Sequence, residues 1–190
     1  MWTFYAGLAG LLVSGVFLVW KVRAEYASRQ KLAPATAVAV WVWYALHAAL
    51  TVYAAWRSVW PLAFNRLPAV VAGGLLSIAG LSVAVAGILQ LRSLQRMSGR
   101  TTDQLVTSGI YRWSRNPQNA GWFLVLLGVA VIGRSAGAIL LTVLFALTLH
   151  FYIVYVEEPY LEEVFGDAYR RYRATTPRYL GLLQEGRDSG

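Results

Sequence analysis

At 190 residues the chain is long enough for one domain; it is 57% hydrophobic, only 14% charged, and has a mean hydropathy of +0.49. A soluble domain is roughly 45–50% apolar and about 25% charged, so one small core cannot hide this much apolar surface, and lipid is the expected solvent for part of it. The formal charge of +8 comes from 17 basic against 9 acidic residues, and the lack of cysteine excludes disulfides, thiolate metal sites and cysteine nucleophiles.

In a soluble protein such a charge would point to nucleic acid. Here the basic residues fall between apolar runs, where they read as membrane topology, and no nucleic-acid partner is expected. His47 and His150 both sit inside apolar runs and form no ligand cluster, so no metal site is expected. Arg outnumbers Lys by 15 to 2, and Ala, Val and Gly abound, a composition expected of a GC-rich bacterial genome.

A helix that crosses the hydrocarbon needs about 20 mostly apolar residues. Residues 2–20 form the first such run, and positive charge (Lys21, Arg23) follows it instead of preceding it, unlike a cleavable signal peptide. Residues 37–56 form a second run rich in Trp and Tyr. Residues 67–91 form a third, containing Gly73, Gly74, Gly80 and Gly87, small residues that let helices approach closely in lipid. A polar stretch then extends to Pro117. Residues 121–132 and 136–156 follow, joined only by Gly133, Arg134 and Ser135. The first of the two is too short to span alone, so the pair reads as a helical hairpin.

The expected fold is therefore all-α and integral to the membrane. It has about five transmembrane helices including the C-terminal hairpin, plus a cytoplasmic C-terminal helix. Residues 1–190 form a single membrane domain, with three N-terminal helices in 1–91 and the loop, hairpin and tail in 92–190. Fourteen Lys and Arg lie in the segments after the first run, after the third run and in the tail, against three (Arg57, Arg66, Arg134) in the alternate connectors. The positive-inside rule puts the N-terminus outside and the C-terminus in the cytoplasm of a bacterial inner membrane.

Three polar clusters then share the cytoplasmic side. In residues 104–122, Gly109 permits a turn that a side chain would resist. Asn116 followed by Pro117 signals a helix start, with Asn as N-cap and Pro at the first helical position. A helix N-terminus offers unpaired N–H groups and a positive dipole end to an anion, and Arg115 stands beside it. A basic loop anchored on lipid headgroups is the alternative. The second cluster, Glu157, Glu158 and Pro159, places two adjacent carboxylates at the membrane boundary, where ionisable groups are functional or paired with the tail arginines. Pro159 is expected to break or turn the helix there. In the third, Tyr169 and Tyr172 lie three apart among Arg170, Arg171 and Arg173, on a helix that either lies in the membrane interface or caps a site.

Together the clusters resemble the isoprenylcysteine carboxyl methyltransferases and their relatives among the phospholipid methyltransferases. The family pattern runs Leu-Val-x-x-Gly-x-Tyr, Arg-His-Pro, a hydrophobic hairpin, Glu-Glu-x-x-Leu, Phe-Gly-x-x-Tyr-x-x-Tyr and a Pro. This chain supplies Leu105, Val106, Gly109, Tyr111, Arg115, Pro117, Glu157, Glu158, Leu161, Phe165, Gly166, Tyr169, Tyr172 and Pro177 in that order. It departs at Asn116 and Asp103, which replace histidines, and at Asn119, which replaces a tyrosine. Ile153 and Val154 stand in the turn where the eukaryotic enzymes carry an arginine for the substrate carboxylate.

The resemblance implies S-adenosyl-L-methionine as cofactor, bound on the cytoplasmic side by Asp103, Gln104, Leu105, Val106, Gly109, Tyr111, Arg115, Asn116, Pro117, Gln118, Asn119 and Glu157. Arg115 and Glu158 are expected closest to the chemistry, with Glu158, Asp103 and Tyr111 open as bases. The implied partners are the lipid bilayer and a lipophilic small-molecule acceptor that enters between helices. Trp41, Trp43 and Trp122 are expected either along that path or in packing. The rival readings are a membrane reductase of related fold using NADPH, and a non-catalytic lipid-binding membrane protein.

Overall fold

A computed structural model describes residues 1–91, 105–179 and 181. The described residues form helices α1 (Trp2–Arg29), α2 (Pro34–Trp56), α3 (Arg66–Leu91), α4 (Pro117–Ile132), α5 (Ala136–Tyr152), α6 (Glu158–Phe165) and α7 (Asp167–Thr175). A short 3-10 turn spans Gly109–Arg112. Four helical stretches are long and apolar enough to cross a membrane: α1, α2, α3 and the continuous run Ala136–Phe165. The shorter α4 has 16 residues, about 24 Å of rise against a hydrocarbon core of about 30 Å. The chain is an integral membrane protein, and the expected hairpin is present as α4 and α5.

The helices run past the apolar runs where the chain supplies an end. α1 continues beyond Lys21 and Arg23 to Gln30, which takes a left-handed conformation (φ 53°) as the C-cap. Glu25 then holds the tight connector to α2: its carboxylate accepts from the Ala33 N–H at 2.8 Å and from the Thr36 hydroxyl at 2.6 Å. Pro34 opens α2, where its missing N–H costs nothing.

Pro159 does not break its helix. One wide π turn, Ile153–Glu157, precedes it, and the Glu158 N–H reaches back five residues to the Ile153 carbonyl. The ring of Pro159 thus sits at the start of α6, and α5 and α6 remain one continuous rod. Without a wide turn the ring would meet the carbonyl four residues earlier.

α3 lies against α4 along nearly its whole length, and glycines set the distance. Gly73, Gly80 and Gly87 recur every seven residues, two helical turns, and so share one face of α3. Gly121 and Gly128 answer at the same spacing on α4. A Cβ on Gly80 would stand 2.6 Å from the Gly121 carbonyl oxygen, and one on Gly73 would stand 2.5 Å from that of Gly128. No side chain fits there; the backbones themselves are the interface, as suits association in lipid, where van der Waals contact replaces the hydrophobic drive.

On the opposite side from the α1–α2 connector, the α2–α3 and α4–α5 connectors are hydrogen-bonded into one unit. The Ser135 hydroxyl donates to the Val59 carbonyl (2.7 Å) and accepts from the Ala138 N–H (3.1 Å), capping α5. The Ala136 and Gly137 N–H groups donate to the Trp60 and Val59 carbonyls, and the Leu62 N–H donates to that of Arg134. Phe4 of α1 packs edge-on against Trp60 in the same place. This clamp holds one end of the bundle closed, while the other end carries the polar clusters.

Gly80→Leu is expected to destabilise the protein in detergent by more than the roughly 1–3 kcal/mol of ordinary overpacking, because backbone must move. Gly74→Leu, where a Cβ would meet nothing within 4 Å, should leave the unfolding midpoint unchanged. Equal effects in thermal unfolding would refute the backbone-contact account.

Candidate functional site

A cavity of about 580 Å³ opens among α1, α2, α3, α4, the α5–α6 rod and α7. One end is polar, lined by Tyr111, Arg115, Asn116, Gln118, Asn119, Glu157, Glu158, Tyr169 and Tyr172. The other is walled by Gly15, Leu18, Val19 and Val22 of α1, by Val40, Trp41, Trp43, Ala45 and Ala48 of α2, and by Ala84 and Ile88 of α3. Trp41, Ala45 and Ile88 line the cavity yet are exposed on the outside of the bundle, so the apolar end opens sideways toward lipid.

The polar end is built by short-range geometry. Gly109 has φ +60°, and a Cβ there would also meet the Gln90 side chain at 2.7 Å, so the turn requires glycine. That turn buries Tyr111, whose hydroxyl donates to the Gln118 side-chain oxygen and whose carbonyl accepts from the Tyr172 hydroxyl at 2.7 Å. Asn116 occupies the N-cap position of α4, but its side chain does not cap. Its amide donates to the Arg178 carbonyl at 3.2 Å, and its N–H donates to the Ser114 hydroxyl at 3.1 Å. The first-turn N–H groups of α4 therefore keep their positive dipole end without a side-chain acceptor from the N-cap.

Above this lies a roof of charge. The Arg115 guanidinium donates to Glu158 at 2.9 Å, to the Tyr169 hydroxyl at 3.0 Å and to the Thr176 carbonyl at 3.0 Å. Arg178 grips the same carboxylate with two bonds, 2.6 Å and 3.0 Å. The side chains of Arg115 and Glu158 are only 7% and 8% exposed. The tail segment 176–179 closes over them: the Arg115 N–H donates to the Pro177 carbonyl at 2.9 Å, and Tyr179 meets His150 at 3.1 Å. Arg115 and Glu158 line the cavity, but their charges answer each other.

α7 turns its aromatic face into the cavity. Tyr169 and Tyr172 are 2% and 8% exposed, while Arg170 and Arg173 point outward to Glu162. Of this helix, the tyrosine face covers the polar end of the cavity and the arginine face points away from it. Burial pushes the Tyr169 phenol up to about 12, against the opposing pull of Arg115, and raises Tyr111 and Tyr172 as well. All three phenols are neutral near pH 7.

Of the residues singled out from the sequence, Leu105, Val106, Tyr111, Arg115, Asn116, Gln118, Asn119, Glu157 and Glu158 line this one cavity. Gly109 and Pro117 shape the backbone beside it without lining it. Asp103 and Gln104 lie outside the described residues. Glu157, unlike Glu158, has no hydrogen bond or ion pair among the described residues. It lies within electrostatic reach of Tyr26, Tyr44, Tyr111 and Tyr152, at the junction of the two ends.

Sequence reasoning missed Tyr26, in the charged segment after the first apolar run, and Tyr44 and Tyr152, inside the apolar runs, with nothing local to mark them. Tyr44 donates to the Asn119 side chain at 3.2 Å, a contact between residues 75 apart in the chain. Trp41, Trp43 and Trp122 all line the cavity, and the buried indole N–H of Trp122 has no acceptor among the described residues.

The family model for phospholipid methyltransferases matches residues 68–168, just over half of the chain. A stretch of 90 residues is 37% identical to a protein-S-isoprenylcysteine O-methyltransferase of Schizosaccharomyces pombe, covering 45% of this chain and 37% of that relative's length. No solved structure matches significantly. The matched segment holds α3, the loop, the hairpin and α6, which supply the cavity's polar wall apart from Tyr169 and Tyr172, and the Arg115–Glu158 pair; on the family match, the chain belongs to the phospholipid methyltransferase family.

Proposed function

We propose that the protein is an S-adenosylmethionine-dependent methyltransferase, with its donor at the polar, cytoplasm-facing end of the cavity and a lipophilic acceptor in the apolar end. The observation that carries this reading is the single cavity that joins a polar, charge-bearing wall to an apolar arm open to lipid. A water-soluble donor and a membrane-soluble acceptor need such a junction.

The donor supplies a methyl group on a positively charged sulfur. The residues present fit such a molecule. The uncapped start of α4, at Gln118 and Asn119, suits a carboxylate. The Glu157 side chain, which has no hydrogen bond or ion pair among the described residues, suits an ammonium group or ribose hydroxyls. The apolar side chains of Leu105, Val106, Leu161 and Phe165 offer a surface for a flat base. Tyr169 and Tyr172 shut water out from above, which strengthens every electrostatic contact below them. Arg115 and Glu158 act in this scheme by holding loop, rod and tail together around the donor. The cytoplasmic placement is supported by the excess of Lys and Arg at this end.

Purified protein in detergent should bind S-adenosylmethionine in calorimetry and not NADPH, and should transfer labelled methyl from it into a total lipid extract. Binding of NADPH instead would favour a reductase, and binding of neither would refute any enzymatic reading. Glu158→Gln should destabilise the fold by about 3 kcal/mol, because it leaves the buried Arg115 without its counter-charge. It should weaken donor binding about tenfold through the loosened roof. Full stability in denaturant titration would show that the pair does not hold the site.

A further inference from the structure

The cavity has a definite depth. On α1 its lining runs from Tyr26 back to Gly15, and on α2 from Ala37 forward to Ala48. Each span covers eleven residue steps, about 16 Å along a helix axis. At the deep end of the α1 lining, Gly15 meets the indole of Trp43 on α2.

A fixed side chain lies there. The Trp43 indole N–H donates to the Leu11 carbonyl at 3.1 Å, and its ring stacks on Phe145 at 6.0 Å between centroids and 14° between planes. Gly15 faces this ring directly: a Cβ on it would come 3.1 Å from the indole. The indole is thus held by a hydrogen bond and a stacked ring, Gly15 makes room for it, and the small side chains of Ala45 and Ala48 leave space beside it. None of these residues belongs to the segment 68–168 that matches the family.

We propose that Gly15, Trp43 and Ala48 form a floor that sets how long a single apolar tail the methyl acceptor can carry. The proposal rests on reading the cavity as a methyl-transfer site, and it places acceptor selection on α1 and α2, apart from the donor end. A tail that enters past Trp41 and Ile88 runs down between α1 and α2 until its last carbons meet the Trp43 indole. A longer tail leaves its end in contact with nothing it can displace, since the indole is held by a hydrogen bond and a stacked ring.

The test uses the full chain in lipid nanodiscs with S-adenosylmethionine present. The probes are long- and short-chain n-alkyl alcohols that carry a photoreactive diazirine on the last carbon. The long probe should label the peptides around Gly15, Trp43 and Ala48, and the short one those around Val22 and Val40. Gly15→Leu and Ala48→Leu, each filling the floor by one side chain, should lower floor labelling by the long probe about tenfold or more, leave donor affinity unchanged, and shift methylated products of a lipid extract toward shorter tails. Labelling confined to the outward residues Val13 and Val16, or an unchanged product distribution in whichever variant retains its unfolding midpoint, would overturn the floor. If the donor fails to bind while the floor is labelled, it is the methyltransferase reading that falls. If the donor binds and the floor is not labelled, only the floor falls.

Discussion

The carboxylate of Glu158, held between Arg115 and Arg178, is the interaction on which the site depends. Each of the three comes from a different part of the chain: the loop before α4, the rod of α5 and α6, and the tail after α7. Taking such charges out of water costs several kcal/mol per ion, and the cost is offset only when each finds a partner and its remaining donors are satisfied. Here the donors of Arg115 reach Glu158, Tyr169 and the Thr176 carbonyl. The tail is thereby tied over the loop, and a short sequence without regular structure becomes a closed roof.

The roof matters because of what it leaves over. With Glu158 consumed by the two guanidiniums, Glu157, its neighbour in sequence, faces the cavity without a partner among the described residues. Adjacent residues leave a helix about 100° apart, so that one carboxylate turns to the roof and the other to the cavity. The π turn before Pro159 adds one residue to the turn that carries them. Wide turns of this kind are frequent at functional sites, and this one also admits a proline into a continuous helix.

Beneath the roof, two kinds of packing divide the labour. α3 and α4 meet backbone to backbone through their glycines, which fixes the start of α4 and its N–H groups against the loop. α1 and α2 instead contribute side chains of mixed size, from Tyr26 and Tyr44 near the junction to Gly15, Trp43 and Ala48 at depth. The first arrangement suits a site that must be held in one geometry. The second makes a wall whose shape can change with single residues.

The sequence by itself determined the membrane, the helices and the polar end. Apolar runs of sufficient length must be helical in lipid, because no water is there to satisfy the backbone. The ordered residues from Leu105 to Tyr172 marked the polar wall because turn glycines, helix-start signals and paired carboxylates act over a few residues and so leave local traces. Only the tertiary structure decided how charges are spent and where the cavity ends. Nothing near Arg115 in the chain says that its partner lies 43 residues away, and the tyrosines and tryptophans of α1 and α2 look alike whether they face lipid, core or cavity. A transmembrane helix is apolar on every side, so its sequence carries little record of which side looks inward. That record is written in the packing.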